Sequence, residues 1–272
     1  MIGFIGAGSM GEAIIDGVLA SELVPADQIV FSRRDADAGR AQATALGAHF
    51  HHTNTDVISA VGAGVVVLAV KPRTLGIVLD EIKDAAHDAG SIIISIAAGI
   101  PIDTIASHLH SDQAIVRAMP NVAARIRMGM TALSRSQSVS DAQFAAVEQL
   151  FSAVGAVIEL PESQFSAFTA IAGSAPAWTF QYIDSLSRGA LADGVSKVDS
   201  LRCAAQGVLG AAQLALDALD HGVRPQALID TVTSPGGTTI AGLIAAEQSG
   251  FSTATVAAVR ACIARDRELA DE

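Results

Sequence analysis

The stretch Ile2-Gly3-Phe4-Ile5-Gly6-Ala7-Gly8-Ser9-Met10-Gly11 decides the fold. A short run of strand character enters a glycine-rich turn, and a helical pattern, Met10–Ser21, follows at once. In that setting the spacing Gly6-x-Gly8-x-x-Gly11 predicts the phosphate loop of a dinucleotide-binding βαβ unit. Gly6 permits the tight turn, Gly8 lets the backbone approach a pyrophosphate, and Gly11 lets helix and strand pack closely. The helix then offers free N–H groups and the positive end of its dipole to phosphate. Ala7, Ser9 and Met10 complete this candidate cofactor loop.

Outward from the loop, strand-length apolar runs alternate with helical patterns. The strands are predicted at Ile2–Ile5, Ile29–Phe31, Val65–Val70, Ser91–Ile96 and Ala114–Arg117. The helices between them are predicted at Met10–Ser21, Ala36–Ala45, Thr55–Val61, Leu75–Ala86 and Ile102–Leu109. Such alternation gives a mostly parallel, doubly wound α/β sheet of Rossmann type, and runs as apolar as Val65-Val66-Val67-Leu68 fit a sheet covered on both faces. This domain is expected over residues 1–160, ending in a helix near Asp141–Val154 and a strand near Ala156–Leu160.

Residues 161–272 read as an all-helical second domain, with helices at Gln164–Val195, Asp199–His221, Pro225–Thr231, Thr239–Gln248 and Ser252–Asp271. Gly173 and Pro176 predict a bend or a delayed start in the first of these. Small residues such as Ala204, Ala205, Gly207 and Gly210 lie on most faces. A helix without a polar face is usually buried all round. In so small a domain that predicts burial against copies of the chain, a homodimer or larger homo-oligomer.

Composition narrows the partners. Half of the 272 residues are hydrophobic but only 4% are aromatic, so the core is aliphatic and alanine-rich. A net charge of −11 disfavours nucleic acid, and an anionic cofactor then needs a local positive site. The second strand supplies one, because it runs into Ser32-Arg33-Arg34 with no carboxylate before Asp35. An NAD-type site places an acid there for the ribose hydroxyls, whereas Ser32 and Arg33 suit the 2′-phosphate of NADP. NADP(H) is the expected cofactor, with use of NAD(H) left open.

The segment Thr233-Ser234-Pro235-Gly236-Gly237-Thr238-Thr239-Ile240 joins two predicted helices. Its glycine pair frees the backbone, and the following helix N-terminus favours an anion, so a carboxylate site beside a hydroxyl is expected. With this loop in view, the whole chain resembles the Δ1-pyrroline-5-carboxylate reductase family. The resemblance rests on Gly3–Gly11, Ala69-Val70-Lys71-Pro72, Ser95-Ile96-Ala97-Ala98-Gly99-Ile100, Arg117-Ala118-Met119-Pro120-Asn121 and Val232–Ile240. Val122-Ala123, Arg127, Ala175 and Trp178 depart from the family pattern.

The resemblance implies hydride transfer from NADPH to the C=N carbon of 1-pyrroline-5-carboxylate, giving L-proline. It implies that Thr239 offers its hydroxyl to the ring nitrogen, while Ser234, Gly236, Gly237 and Thr238 hold the substrate carboxylate. Asn54, Ala69, Lys71, Pro72 and Ala97 are then expected along the cofactor, and Met119 and Asn121 at the substrate. Two other readings stand beside it: an NADPH-dependent reductase of another cyclic imine, and a non-catalytic NADP-binding sensor. A β-hydroxyacid dehydrogenase is disfavoured, because Lys197 is the sole lysine beyond residue 160 and sits at a helix boundary.

The remaining chemistry-bearing residues read as structural. Lys71 precedes Pro72, which points to a turn-positioning or electrostatic role rather than a Schiff base. His49, His51 and His52 lack further ligands nearby and read as a polar strand edge, so no metal is expected. Asp184 and Asp193 lack the spacing of a catalytic pair, and Trp178 suits packing or a subunit contact. Cys203 and Cys262 fit buried, reduced thiols. No apolar run is long enough to span a bilayer and no targeting segment is visible, so a cytoplasmic location without membrane contact is expected.

Overall fold

The computed structural model of the chain describes residues 1–271. Eight strands form one sheet: β1 (Ile2–Ile5), β2 (Ile29–Ser32), β3 (His49–His51), β4 (Val65–Leu68), β5 (Ile92–Ser95), β6 (Ile115–Met119), β7 (Gly129–Arg135) and β8 (Gly155–Glu159). Their order is β3-β2-β1-β4-β5-β6-β7-β8. The first six pair in parallel, β7 runs antiparallel to β6, and β8 runs parallel to β7. The chain is thus a Rossmann-type, mostly parallel sheet followed by helices, and the strand order reverses between β1 and β4.

Six helices accompany the sheet: α1 (Ser9–Ala20), α2 (Ala36–Leu46), α3 (Asn54–Val61), α4 (Pro72–Ala89), α5 (Ile102–Ser107) and α6 (Asp141–Ser152). The period of two along each strand sorts the core into two layers. Phe4, Phe31, Val67, Ile94 and Val116 pack with Ile14, Ile15 and Val18 of α1 and with Phe144, Val147 and Phe151 of α6. Ile5, Val66, Leu68, Ile93 and Ile115 pack on the other face with Val57 and Ile58 of α3, Leu75, Leu79 and Ile82 of α4, and Ile105 of α5.

One strand differs from the sequence reading. β7 was not expected, because Gly129, Thr131, Ala132 and Ser134 give it no β-branched apolar run. It is a strand because both neighbours, β6 and β8, pair with it. β3 is the edge strand that the histidines foreshadow, with His49 exposed. α4 also starts three residues earlier than its apolar pattern shows, since Pro72 occupies the first helical turn, where its missing N–H and fixed φ are tolerated.

Beyond β8 come α7 (Phe165–Phe168), α8 (Ala175–Ala192), α9 (Lys197–Asp220), α10 (Pro225–Val232), α11 (Thr238–Gln248) and α12 (Phe251–Asp271). The helix expected over Gln164–Val195, with a bend or delayed start at Gly173 and Pro176, is divided at that point. Thr169–Ser174 is π-helical, and Pro176 lies in the first turn of α8. A wide turn there removes the clash that a proline ring makes with a carbonyl four residues earlier.

The chain divides into two compact units, one of Met1–Gly173 with the stretch from Cys262, the other Ser174–Ala261. In the second unit Ser187 and Ser200 are the only buried side chains among the described residues. Large apolar side chains stand open, including Phe180 at 64%, Val198 at 68% and Val232 at 63% exposure. The helices apolar all round that the sequence shows therefore find no core within their own unit.

Candidate active site

A cleft of about 810 Å³ opens at the C-terminal ends of β1 and β4, where the strand order reverses. Ligands of open α/β sheets bind at such a point. Gly6, Ala7 and Gly8 line it, with Ser32 to Asp35 from the end of β2, Asn54 from α3, and Ala69 to Lys71 from the end of β4. The backbone locks these turns together. The Ser32 carbonyl accepts from the N–H groups of Gly6 and Ala7 at 3.1 and 3.2 Å, and the Ala69 N–H donates to the Ile5 carbonyl at 2.8 Å.

The glycines of the loop differ in what they do. At Gly11 a Cβ would stand 2.9 Å from the Gly6 carbonyl oxygen and 3.2 Å from the Ala69 Cβ, so α1 approaches the turn too closely for a side chain. At Gly8 a Cβ would meet no protein atom within 4 Å, and φ is an ordinary −85°. Nothing in the fold requires glycine there; the space belongs to the cleft. Ser9 and Met10 open α1, and their N–H groups have no partner within the helix. An open cradle facing free donors fits a dinucleotide pyrophosphate.

The far end of the cleft carries Arg33 and Arg34. Arg33 donates to Gln42 Oε1 at 3.0 Å, while Gln42 Nε2 is buried without a hydrogen-bond partner. Asp35 accepts from the Ala38 N–H at 3.0 Å, capping α2 rather than serving as a ribose acceptor at the strand end. Ser32 is buried, and its hydroxyl lies 2.7 Å from Asn54 Oδ1. Asn54 in turn donates to Glu81 Oε2 at 2.7 Å.

Of the other expected cofactor residues, Lys71 lines the cleft, whereas Pro72 and Ala97 are not among its lining residues. Lys71 caps α4, with Pro72 next, so its backbone sets the start of that helix. Ala97 is buried after β5, its N–H 3.3 Å from Ser95 Oγ. The sequence reading missed Thr74, Val78 and Glu81, which line the cleft from one face of α4. The spacing of four and three residues was the available signal. No group of three His, Cys, Asp or Glu side chains able to hold a metal ion occurs among the described residues.

Met119 ends β6 half-buried beside Phe165 and Phe168. The Asn121 side chain is a three-way tie: its Oδ1 accepts from the N–H groups of Ala123 and Met130, both at 3.2 Å, and its Nδ2 donates to the Ala172 carbonyl at 3.0 Å. It thus joins the turn after β6, the start of β7 and the π-helical stretch. Of the departing positions, Val122 is exposed in that turn, and Arg127 takes a left-handed φ of 59° while donating to the Ala153 carbonyl.

In the second unit the Ser234–Thr239 segment forms a tight turn into α11. Gly236 has φ +67°, and Gly237 caps the helix with its N–H donated to the Ser234 carbonyl at 3.0 Å. A Cβ at Gly237 would collide with the Ser234 hydroxyl. With the Gly237 N–H engaged in the turn, the donors of the first helical turn begin at Thr238 and Thr239, both exposed. Lys197, at the start of α9, donates to Asp184 Oδ1 and Ser187 Oγ, each at 3.0 Å. That contact, with help from Arg188, holds the Asp184 carboxyl below its ordinary range. This lysine is a structural tie between α8 and α9.

Residues 162–269 match a family model described as pyrroline-5-carboxylate reductase dimerisation. Residues 1–99 match one described as NADP oxidoreductase, coenzyme F420-dependent. The chain is 35% identical over 268 residues to the pyrroline-5-carboxylate reductase of Methanosarcina acetivorans, spanning 98% of this chain and 97% of that one. It is similar to a solved pyrroline-5-carboxylate reductase from Coxiella burnetii, with TM-score 0.91 and 33% identity over 98% and 97% of the two chains. It shares its fold with a Plasmodium falciparum pyrroline carboxylate reductase solved with NADP bound, with TM-score 0.85 and 24% identity over 99% and 97%.

Proposed function

The chain belongs to the pyrroline-5-carboxylate reductase family, and we propose that its Thr239 hydroxyl and Ser234–Thr239 turn bind the substrate in the reduction of 1-pyrroline-5-carboxylate to L-proline. The protein is an NADP-dependent oxidoreductase of proline synthesis that acts on a carbon–nitrogen double bond. Bound NADPH supplies the hydride that the imine carbon accepts. The protein's own task is to orient two small molecules, hold a carboxylate and manage one proton.

In this reading the cleft holds the cofactor. Gly6, Ala7 and Gly8 leave room for the pyrophosphate, and the N–H groups of Ser9 and Met10 donate to it. Arg33 pairs with the 2′-phosphate. Asn54, Ala69, Lys71, Pro72 and Ala97 shape the rest of the path. Asn121 fixes the turn that carries Met119 toward the substrate.

At the substrate end, the Thr239 hydroxyl donates a hydrogen bond to the ring nitrogen, which takes its proton from solvent as it becomes an amine. The Ser234 hydroxyl and the Thr238 N–H bind the carboxylate, aided by the positive end of α11. Gly236 and Gly237 permit the turn that brings these groups together. The observation that carries this assignment is the turn itself: it packs the Ser234 hydroxyl against the backbone of Gly237, directly before an exposed helix N-terminus.

We take residues 1–160 as the cofactor domain and residues 161–272 as the domain of substrate binding and dimerisation. The protein is a homo-oligomer, consistent with the open apolar side chains of the second unit. No helix among the described residues is long and apolar enough to cross a membrane. Neither cysteine is buried as the sequence suggested, since Cys203 is exposed and Cys262 half-buried in α12, and the exposed free thiol of Cys203 suits a reducing cytoplasm.

The test is oxidation of NADPH with pyrroline-5-carboxylate, repeated with NADH and with a panel of other cyclic imines. Turnover is expected with pyrroline-5-carboxylate above the rest of the panel. Absence of turnover on any imine, with NADPH still bound, would make the protein a sensor and overturn the assignment.

A further inference from the structure

Three side chains from three elements form a relay along the wall of the cofactor cleft. Ser32 ends β2, Asn54 begins α3, and Glu81 lies on the cleft face of α4. The two links are each 2.7 Å long. Their direction is dictated by chemistry. An ionised carboxylate has no proton to give, so Asn54 must turn its amino group to Glu81. Its carbonyl then faces Ser32, and the single hydroxyl proton of Ser32 is donated to Asn54. The Ser32 oxygen is left with lone pairs alone.

A phosphate has no proton to offer such an oxygen, but a ribose hydroxyl does. We propose that Glu81 is a positioning residue that sets cofactor preference through Asn54 and Ser32. While Glu81 is a carboxylate, the relay makes Ser32 an acceptor for the 2′-hydroxyl of NAD(H). The 2′-phosphate of NADP(H) must then depend on Arg33 and Arg34, in a cleft that also presents Asp35 and Glu81. The acid that NAD-type sites carry at the end of the second strand is here replaced by an acid on α4 acting two hydrogen bonds away. This deepens, and rests on, the reading of the cleft as an NADP(H) site.

Glu81→Gln tests it. Glutamine can either accept from Asn54 or donate to it, so the relay can reverse when a phosphate arrives. Asn54 then donates to Ser32, and Ser32 donates to the phosphate. Glu81 is exposed, so the substitution leaves the fold in place, which thermal melting checks. The readout is calorimetric binding of adenosine 2′,5′-bisphosphate and of 5′-AMP to the full oligomer, without substrate or turnover.

Glu81→Gln is expected to tighten the bisphosphate about tenfold relative to AMP, the effect of one hydrogen bond to a charged group. In a Ser32→Ala background that gain is expected to vanish. An unchanged ratio of the two dissociation constants overturns the relay alone. A gain that persists undiminished in Ser32→Ala also overturns it, since loss of charge would then suffice. Binding of neither nucleotide by the wild-type protein overturns the cofactor assignment and the relay with it.

Discussion

Replacing Gly8 by alanine should separate binding from folding. A Cβ at this position meets no protein atom within 4 Å, and the backbone already has φ −85°, so alanine fits the folded chain. Gly8 caps α1, where alanine is a poorer residue than glycine, so the stability change should stay within about 1 kcal/mol. The methyl group, however, enters the space assigned to the pyrophosphate. Pushing a phosphate away from one or two N–H donors loses about 1.5–3 kcal/mol for each hydrogen bond to a charged group. A net loss of about 2–4 kcal/mol corresponds to roughly 30- to 1000-fold weaker NADPH binding.

Gly11→Ala should behave in the opposite way. Its Cβ would stand 2.9 Å from the Gly6 carbonyl oxygen, so α1 must move, at a cost of about 1–3 kcal/mol typical of overpacking. Melting curves of the two variants, with fluorescence titration of NADPH, measure both quantities. Wild-type affinity in Gly8→Ala, or an unliganded melting temperature lowered as far as that of Gly11→Ala, would refute the division of roles.

Three further outcomes are expected. Thr239→Ala should lower kcat about 100-fold, in the range of one lost hydrogen bond to charge changing in the transition state, with the NADPH dissociation constant unchanged, and Thr239→Ser should restore most of it; wild-type kcat in the alanine variant would remove Thr239 from the reaction. Arg117, 9% exposed, pairs with Glu162 Oε1 at 2.7 Å, and that oxygen also accepts from the Ile102 N–H at the start of α5. Glu162→Ala strands the buried guanidinium and should cost about 2–4 kcal/mol in urea unfolding, below the loss at a fully buried pair because Glu162 is 27% exposed. Asp184 is held below its ordinary 3.8, so its contribution is complete above about pH 4 and is lost as pH falls through the lowered folded value. Melting temperatures taken from pH 5 down to pH 3 should therefore fall less steeply in Asp184→Asn than in wild type.

The sequence made the sheet legible wherever strands consist of apolar runs. Val66–Leu68 and Ile92–Ser95 are buried on both faces, and no other element tolerates such composition so briefly. It concealed β7, whose strand character comes from its partners rather than from Thr131 or Ser134. The cofactor cleft was legible at Gly6–Gly8, Ser32 and Lys71 because these positions follow strand ends in the chain. Thr74, Val78 and Glu81 reach it only once α4 packs on the sheet, and packing geometry is not written in spacing alone. Asn121 and the Gly237 N–H were expected at the substrate because both belong to a recognisable motif; both are instead engaged in holding local turns, which only the folded backbone reveals.

The second unit, with two serines as its buried side chains among the described residues, bears on supply as well as on architecture. A domain that finds its interior in another copy obeys mass action, and its folded population depends on how many chains are present. Well below the dimer dissociation constant, working enzyme scales with the square of chain concentration, so half the expression leaves a quarter of the catalyst. An inactive chain that still docks would withdraw competent partners from the pool and depress output beyond its own share. Dosage and dominance, usually discussed as genetics, thus begin here in the placement of leucines and valines.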